Sequence, residues 1–290
     1  MPDSEVELPG GLRLDSGWRR DAKLRPLSGH DELFLLEEAG AQSMAARTTA
    51  LLARCVTRLG DTGPVRMEDV RRLRIGDREA LLLHLRRLTL GERVSCVLTC
   101  PSPQCRKPME LQLSTQELLV PPYPHTDELH ETEIEADGGR YWLRFRLPNG
   151  GDQEAIANTA AIQPETAAAV LLQRCVQDLA RDDSEMPVAA IPPAVAEALS
   201  AKMAELDPQA EILLALHCPE CGIEFFAPLD LASFFFQELS GRRRNLYHEV
   251  HLMAIGYHWS EDAILGLTRS RRQLYLDLLW GTAKESASHE

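Results

Sequence analysis

The sequence predicts an α+β fold: an internally duplicated pseudo-twofold unit, each half carrying a hairpin, helices and a cysteine knuckle, followed by a C-terminal helical tail. Three observations predict it. Landmarks recur in the same order at offsets of 118 to 121 residues. Alternating apolar and polar runs flank Gly-containing turns near the start of each half. Each half also ends on a short cysteine pair between two runs with strand character.

The strongest landmark is LLARCVTRL, Leu51 to Leu59, which returns as LLQRCVQDL, Leu171 to Leu179. Arg54 then matches Arg174, Cys55 matches Cys175, and Val56 matches Val176. Upstream, LSGHDE with Gly29 and Asp31 matches PNGGDQ with Gly150 and Asp152. Downstream, LTCPSPQC matches LHCPECG, which pairs Cys100 with Cys218. QEL at Gln116 to Leu118 recurs at Gln237 to Leu239. Coincidental leucine-rich helices would explain one such match but not four in register.

The elements follow in order. GLRLDSGWRRDAKLRPL predicts a hairpin turning at Asp15 to Gly17, and ETEIEADGGRYWLRFRL one turning at Asp137 to Gly139. Asp31 and Asp152 stand where helix N-caps are expected. The LLxRCVxxL helices have the apolar spacing of a buried face, which takes Cys55 and Cys175 into the core. GDREALLLHLRRL predicts a helix capped by Asp77. Its diverged counterpart, PPAVAEALSAKMAEL, begins with Pro192 and Pro193, where proline is tolerated. The expected boundaries are a first repeat at 1–120, a Pro-rich stiff linker at 121–130, a second repeat at 131–240 and a helical tail at 241–290. The tail, without a counterpart in the repeats, predicts helices up to Leu239 and over Leu246 to Tyr257, a short one capped by Ser260 and a last one capped by Thr268. Its end, GTAKESASHE, is expected to fray. Phe234 to Phe236 cannot all face one core from a helix, so one of them is expected to meet a neighbouring element or a partner.

Charge and composition narrow the function. Lys and Arg number 31 against 44 Asp and Glu, a net charge of −13, which opposes binding to nucleic acid or anionic membrane. No apolar run reaches the ~18–20 residues of a membrane helix. The N-terminus has no basic segment followed by an apolar one, so a cytoplasmic location is expected. Seven cysteines are an odd number for a disulfide framework.

Four of those cysteines form two knuckles, C-x4-C at Cys100 and Cys105 and C-x2-C at Cys218 and Cys221. Four thiolates suit tetrahedral zinc, and their placement in both halves predicts a zinc-ribbon-like site stapling them together. Gly222, next to the tighter knuckle, relieves its backbone. Cys96 and His217 stand nearby as bystanders. Four cysteines fill the coordination shell, so the metal is expected to be structural. No HExxH, phosphate loop or GxSxG accompanies it, which points away from an enzyme. His84 on its leucine-rich helix is expected to pack, and Glu37 and Glu38 to be a solvated face. The basic clusters Arg242 to Arg244 and Arg269, Arg271 and Arg272 admit an alternative, a zinc-ribbon nucleic-acid-binding regulator. Against it stand the acidic chain and the interleaving of those arginines with Tyr247, Trp259, Leu274 and Tyr275.

Three segments together resemble one family. GDREALLLHLRRLTLGERVSCVLTCPSPQCRKPMELQL, CPECGIEFFAPLDL and YHWSEDAILGLTRSRRQLYLDLL are similar to the T4-type phage baseplate hub assembly chaperone-like proteins of contractile tails and extracellular contractile injection systems. The resemblance spans about Leu27 to Leu279. It implies a non-enzymatic assembly or structural protein that binds other baseplate or hub proteins, and it offers no catalytic residues. The duplication and the long central hairpin depart from a compact single-unit member, leaving open a transient chaperone or a retained subunit. Aromatic and Arg anchors dominate protein interfaces, so Tyr257, Trp259, Arg271 and Arg272 in the tail are the candidate partner-binding residues.

Overall fold

The computed structural model describes residues 3–37, 42–124, 127–241 and 243–287. Glu38, Arg242 and the side chains of Arg243 and Arg244 lie outside that part. In the first half, β1 (Ser4–Leu14) and β2 (Gly17–Leu24) form an antiparallel hairpin, followed by α1 (Gly29–Glu37) and α2 (Met44–Cys55). The chain passes without a loop from α2 into β3 (Val56–Leu59), which pairs with β2. Next come α3 (Met67–Arg72), α4 (Ile75–Leu90) and the hairpin β4 (Arg93–Thr99) and β5 (Pro108–Ser114). The second half follows this order except at the place of α3, where it has a short strand and a single 3-10 turn (Val188–Ala190). Its elements are β6 (His130–Ala136), β7 (Gly139–Phe145), α5 (Gly150–Ile162), α6 (Pro164–Cys175) and β8 (Val176–Arg181), with a short β9 (Ser184–Glu185) at the sheet edge. α7 (Pro193–Leu206) and the hairpin β10 (Leu213–His217) and β11 (Glu224–Pro228) complete it. Four helices follow: α8 (Leu231–Ser240), α9 (Arg243–Tyr257), α10 (Glu261–Leu265) and α11 (Arg269–Ala287).

Local chemistry places the turns. Asp137 and Gly138 at the β6–β7 turn both have positive φ, 50° and 72°, the conformation that a two-residue hairpin loop requires. Register agrees between the halves. Ala22 faces Leu59 and Leu24 faces Val56, just as Leu143 faces Leu179 and Phe145 faces Val176, with a bulge before the last pair in each. Pro192 caps α7 and Pro193 opens it.

Three expected caps are placed differently. Ser28 and Asn149, not Asp31 and Asp152, hold the N-cap positions. The aspartates sit three residues on and return a bond to the cap amide, Ser28 N–H to Asp31 Oδ2 at 2.9 Å and Asn149 N–H to Asp152 Oδ2 at 3.0 Å. Asp77 is likewise inside α4, whose N-cap is Arg74, and accepts the amides of Gly10 and Gly11 at 2.8 and 3.1 Å. The QEL landmark does not carry over. Gln116 lies two residues past the end of β5, whereas Gln237 lies nine past the end of β11, inside α8. The last helix continues through Gly281 to Ala287, beyond the expected fraying point.

Two main cores result. Leu8, Leu24, Leu51, Leu52, Leu59 and Leu81 form the first, and β10 and α8 return to it with Leu214, Leu231, Phe235, Phe236 and Leu239. Burying Phe235 and Phe236 contributes about 1.5–3 kcal/mol each. Tyr141, Leu143, Phe145, Leu172, Val195 and Leu199 form the second. Cys55 and Cys175 are wholly buried. His84 packs within α4, and burial pulls its pKa down to about 4. The linker is fastened to the body: Tyr123 N–H donates to Pro9 O and its hydroxyl to Asp207 Oδ1, both at 2.7 Å.

Candidate metal centre

The two cysteine hairpins meet at their turns. In the first, Cys100 N–H bonds Lys107 O at 2.9 Å, and Cys105 N–H bonds Ser102 O at 3.1 Å. In the second, Cys218 N–H bonds Ile223 O at 2.9 Å, and Gly222 N–H bonds Cys218 O at 2.8 Å. The residue after each second cysteine takes a left-handed conformation, Arg106 at φ 50° and Gly222 at φ 73°. This turns the chain so that each pair of thiols points the same way. Gly222 does so without the Cβ strain that Arg106 carries.

All four sulfurs, of Cys100, Cys105, Cys218 and Cys221, lie within 4.8 Å of one another. Cys100 Sγ is 3.7 Å from Cys221 Sγ, and Cys105 Sγ is 3.8 Å from Cys218 Sγ. Bonds of roughly 2.3 Å to a central ion in tetrahedral geometry put sulfurs about 3.8 Å apart, so the residues fit a metal. Cys100 and Cys218 are buried, Cys105 is half-buried and Cys221 faces solvent. The Cys221 and Glu220 amides draw the Cys218 thiol down to about 7, whereas burial pushes Cys100 up to about 12. A divalent cation would hold all four as thiolates and remove that opposition. The donor set is soft and closed, which suits a tetrahedral thiophilic ion with no position left for water. Cys96 is half-buried on β4 and His217 exposed at the end of β10, and neither belongs to the cluster.

A second arrangement was not anticipated from the sequence. Asp31, 1% exposed, is gripped by Arg25 through two bonds of 2.6 and 3.1 Å and by Arg54 Nε at 3.0 Å. Asp152 is gripped by Arg146 at 2.5 and 3.0 Å and by Arg174 Nε at 2.9 Å. Each first arginine also donates to the backbone carbonyl of the second, Arg25 to Arg54 O at 2.8 Å and Arg146 to Arg174 O at 3.0 Å. The clamps fix hairpin, first helix and second helix in each half. The signal was present: Arg25 and Arg146 stand at the same 121-residue offset as the aspartates.

The four tail residues separate. Tyr257 stacks on Trp259 at 5.2 Å between ring centroids, and Tyr275 meets Trp259 edge-on at 4.9 Å. Both Tyr257 and Trp259 are half-buried in the tail's own apolar cluster, and Arg271 is exposed. Arg272 is 0% exposed and bonds Glu32 Oε1 at 2.7 Å, Glu249 Oε2 at 2.8 Å and Leu267 O at 2.9 Å. Its guanidinium therefore works inside the chain rather than on the surface.

No helix among the described residues is long and apolar enough to cross a membrane. No curated protein and no solved structure matches the chain. The family described as T4 bacteriophage base plate protein matches residues 1–236. The matched segment takes in both hairpin–helix units, both arginine clamps and all four cysteines, and it stops inside α8. The chain belongs to the T4 bacteriophage base plate protein family.

Proposed function

We propose that this chain is a non-enzymatic subunit or assembly factor of a contractile tail-like baseplate. In this reading two diverged copies of one unit are held together by a structural zinc ion, and the whole binds other baseplate or hub proteins during assembly in the cytoplasm. The observation that carries the reading is the four-thiol cluster. Its two pairs are 113 residues apart in sequence, from Cys105 to Cys218, and they form one closed shell that can brace a structure but cannot hold a substrate. The matching register and matching arginine clamps support the duplication. Family membership supports the baseplate setting. The cysteine hairpins also expose apolar side chains, with Val97 at 63% and Phe226 at 74%, of the kind that a protein interface covers.

The proposed partner surface of the tail keeps Tyr257, Trp259 and Arg271, with Arg272 supporting it from within. Affinity purification of the tagged full chain from cells producing its particle should recover baseplate or hub proteins. Arg271→Glu should weaken that recovery about tenfold, as expected for an interface arginine, with the thermal midpoint unchanged. Recovery of nucleic acid in place of tail proteins, resistant to physiological salt, would favour a zinc-ribbon regulator. Presence of the chain in finished particles separates a retained subunit from a transient chaperone.

A further inference from the structure

The tail docks on the first half in the same way as the first half docks on the second. Where α4 begins, Gly150 N–H of α5 donates to Leu73 O at 3.1 Å, and Arg74 bridges Asn149. Where α11 begins, Gly29 N–H of α1 donates to Leu267 O at 3.0 Å, and Thr268 bridges Ser28. A buried residue of the preceding short helix supports each turn: Leu73 N–H bonds Val70 O at 3.3 Å, and Leu267 N–H bonds Ile264 O at 3.1 Å. Both Val70 and Ile264 are 0% exposed. An arginine follows five residues after each leucine, Arg78 and Arg272, and both are wholly buried.

The glycines repeat for a reason of space. A Cβ on Gly150 would stand 2.3 Å from Arg78 Nη1, and one on Gly29 would stand 3.0 Å from Arg272 Nη1 and 2.9 Å from Leu265 Cα. The receiving residues, Ser28 and Gly29 against Asn149 and Gly150, are separated by 121 positions. The inserted residues Val70, Leu73, Arg74 and Arg78 are separated from Ile264, Leu267, Thr268 and Arg272 by 194. The arginine heads differ in what they meet. Arg78 donates to Thr49 Oγ1 and to the carbonyls of Val70 and Ala45, whereas Arg272 lies between the carboxylates of Glu32 and Glu249.

The direction of docking differs as well. The α3–α4 pair of the first unit reaches forward to the unit that follows it. The α10–α11 pair comes after the second unit and bends back to the first. In a row of chains, the next unit forward is the first unit of another chain. The tail is suited to that exchange. Its apolar cluster, built on Met253, Ile264 and Leu276, is separate from both main cores. Besides Arg272 and the backbone contacts, polar links to α1 include His30 and Asp262, 3.3 Å apart, and the Tyr247 hydroxyl, which donates to Glu37. It follows Gly241, past the end of the family match at residue 236.

We infer that the N-terminal turns of α1 and α5 are two copies of one docking site for a helix pair carrying Leu-x4-Arg, and that the site on α1 accepts the α10–α11 pair of a second copy of this chain. In the isolated chain its own tail fills the site, because a tether supplies an effective concentration on the order of 1 mM. Exchange between copies then links chains head to tail, as in other swapped assemblies.

Two full-length variants test this. Gly29→Ala closes the receiving site, and Arg272→Gln removes the inserted head. Each alone leaves no complete pair of surfaces and should stay monomeric by small-angle scattering. Mixed in equal amounts, the intact tail of the first variant meets the intact Gly29 of the second, and the mass should double. Docking in the wild-type chain requires a Kd below the tether's concentration, so the mixture must be mostly dimeric at about 1 mM. A mixture that stays monomeric there overturns the proposal, and so does dimerisation of either variant alone. Should Arg272→Gln fail to fold, Arg272→Lys serves in its place, since a single ammonium cannot fork across Glu32, Glu249 and Leu267 O.

Discussion

Replacing Asp31 by Asn removes the charge at the centre of the first arginine clamp. Burial alone would raise this carboxyl, but bonds from Arg25 and Ser28 hold it at about 2, against an ordinary 3.8. At about 1.4 kcal/mol for each pH unit, the difference amounts to about 2 kcal/mol. Breaking a buried pair can cost about 3–5 kcal/mol when a charge is stranded. Here the Arg25 and Arg54 side chains are 33% and 40% exposed and can turn to water, so the lower figure applies. The folded-state pKa is depressed. The stabilisation is therefore complete above about pH 4 and is lost as pH falls toward 2. Urea unfolding of chelator-treated wild type and Asp31→Asn, compared at matched pH, removes any acid-labile metal binding at the cysteines from the difference. The expected deficit is about 2 kcal/mol at pH 7, shrinking as pH approaches 2. Asp152→Asn should behave in the same sense: burial opposes ionisation there too, and Arg146 and Asn149 override it. A deficit equally large in acid and at neutrality would refute the electrostatic reasoning.

Asp77 should respond in the opposite sense. Burial pushes its carboxyl up to about 7, so the native state keeps a proton that the unfolded chain has released, and stability falls as pH rises from about 4 to 7. Asp77→Asn should accordingly gain on wild type in thermal midpoint as pH rises from 5.5 to 8; a large loss at pH 8 would count against this. Gly150→Ala drives a Cβ into Arg78 and should destabilise by about 1–3 kcal/mol in chemical denaturation. Gly151→Ala, whose Cβ would come no nearer than 3.3 Å to Asn149 Oδ1, should cost much less.

What the sequence disclosed was local. Hairpin turns, proline-led helix starts and cysteine knuckles each carry their chemistry within a few residues, and each is found where its pattern stands. What it hid was relational. Asp31 and Asp152 look like caps because a cap and an N3 acid use the same residue type three positions apart, and only the folded chain brings in the arginines. Asp77 looks like a cap until Gly10 and Gly11 arrive from 66 residues or more away. Arg272 looks like a surface anchor because its acids, Glu32 and Glu249, belong to other helices. The tail looks unmatched because the features it shares with α3–α4 are a leucine, an arginine and a buried β-branched residue, none of which stands out against a leucine-rich and arginine-rich chain. QEL was a chance match, since its two copies occupy different elements.

The proposed metal staple between the halves is tested most directly by metal content. Full chain purified without chelator should carry about one zinc ion by elemental analysis. Cys105→Ser in the first knuckle and Cys221→Ser in the second should each lose it, since each leaves only three thiolates around the ion. Cys96→Ser, outside the cluster, should keep it. Wild-type chain without zinc, or either knuckle variant with its zinc retained in full, would contradict a single ion shared by the two halves.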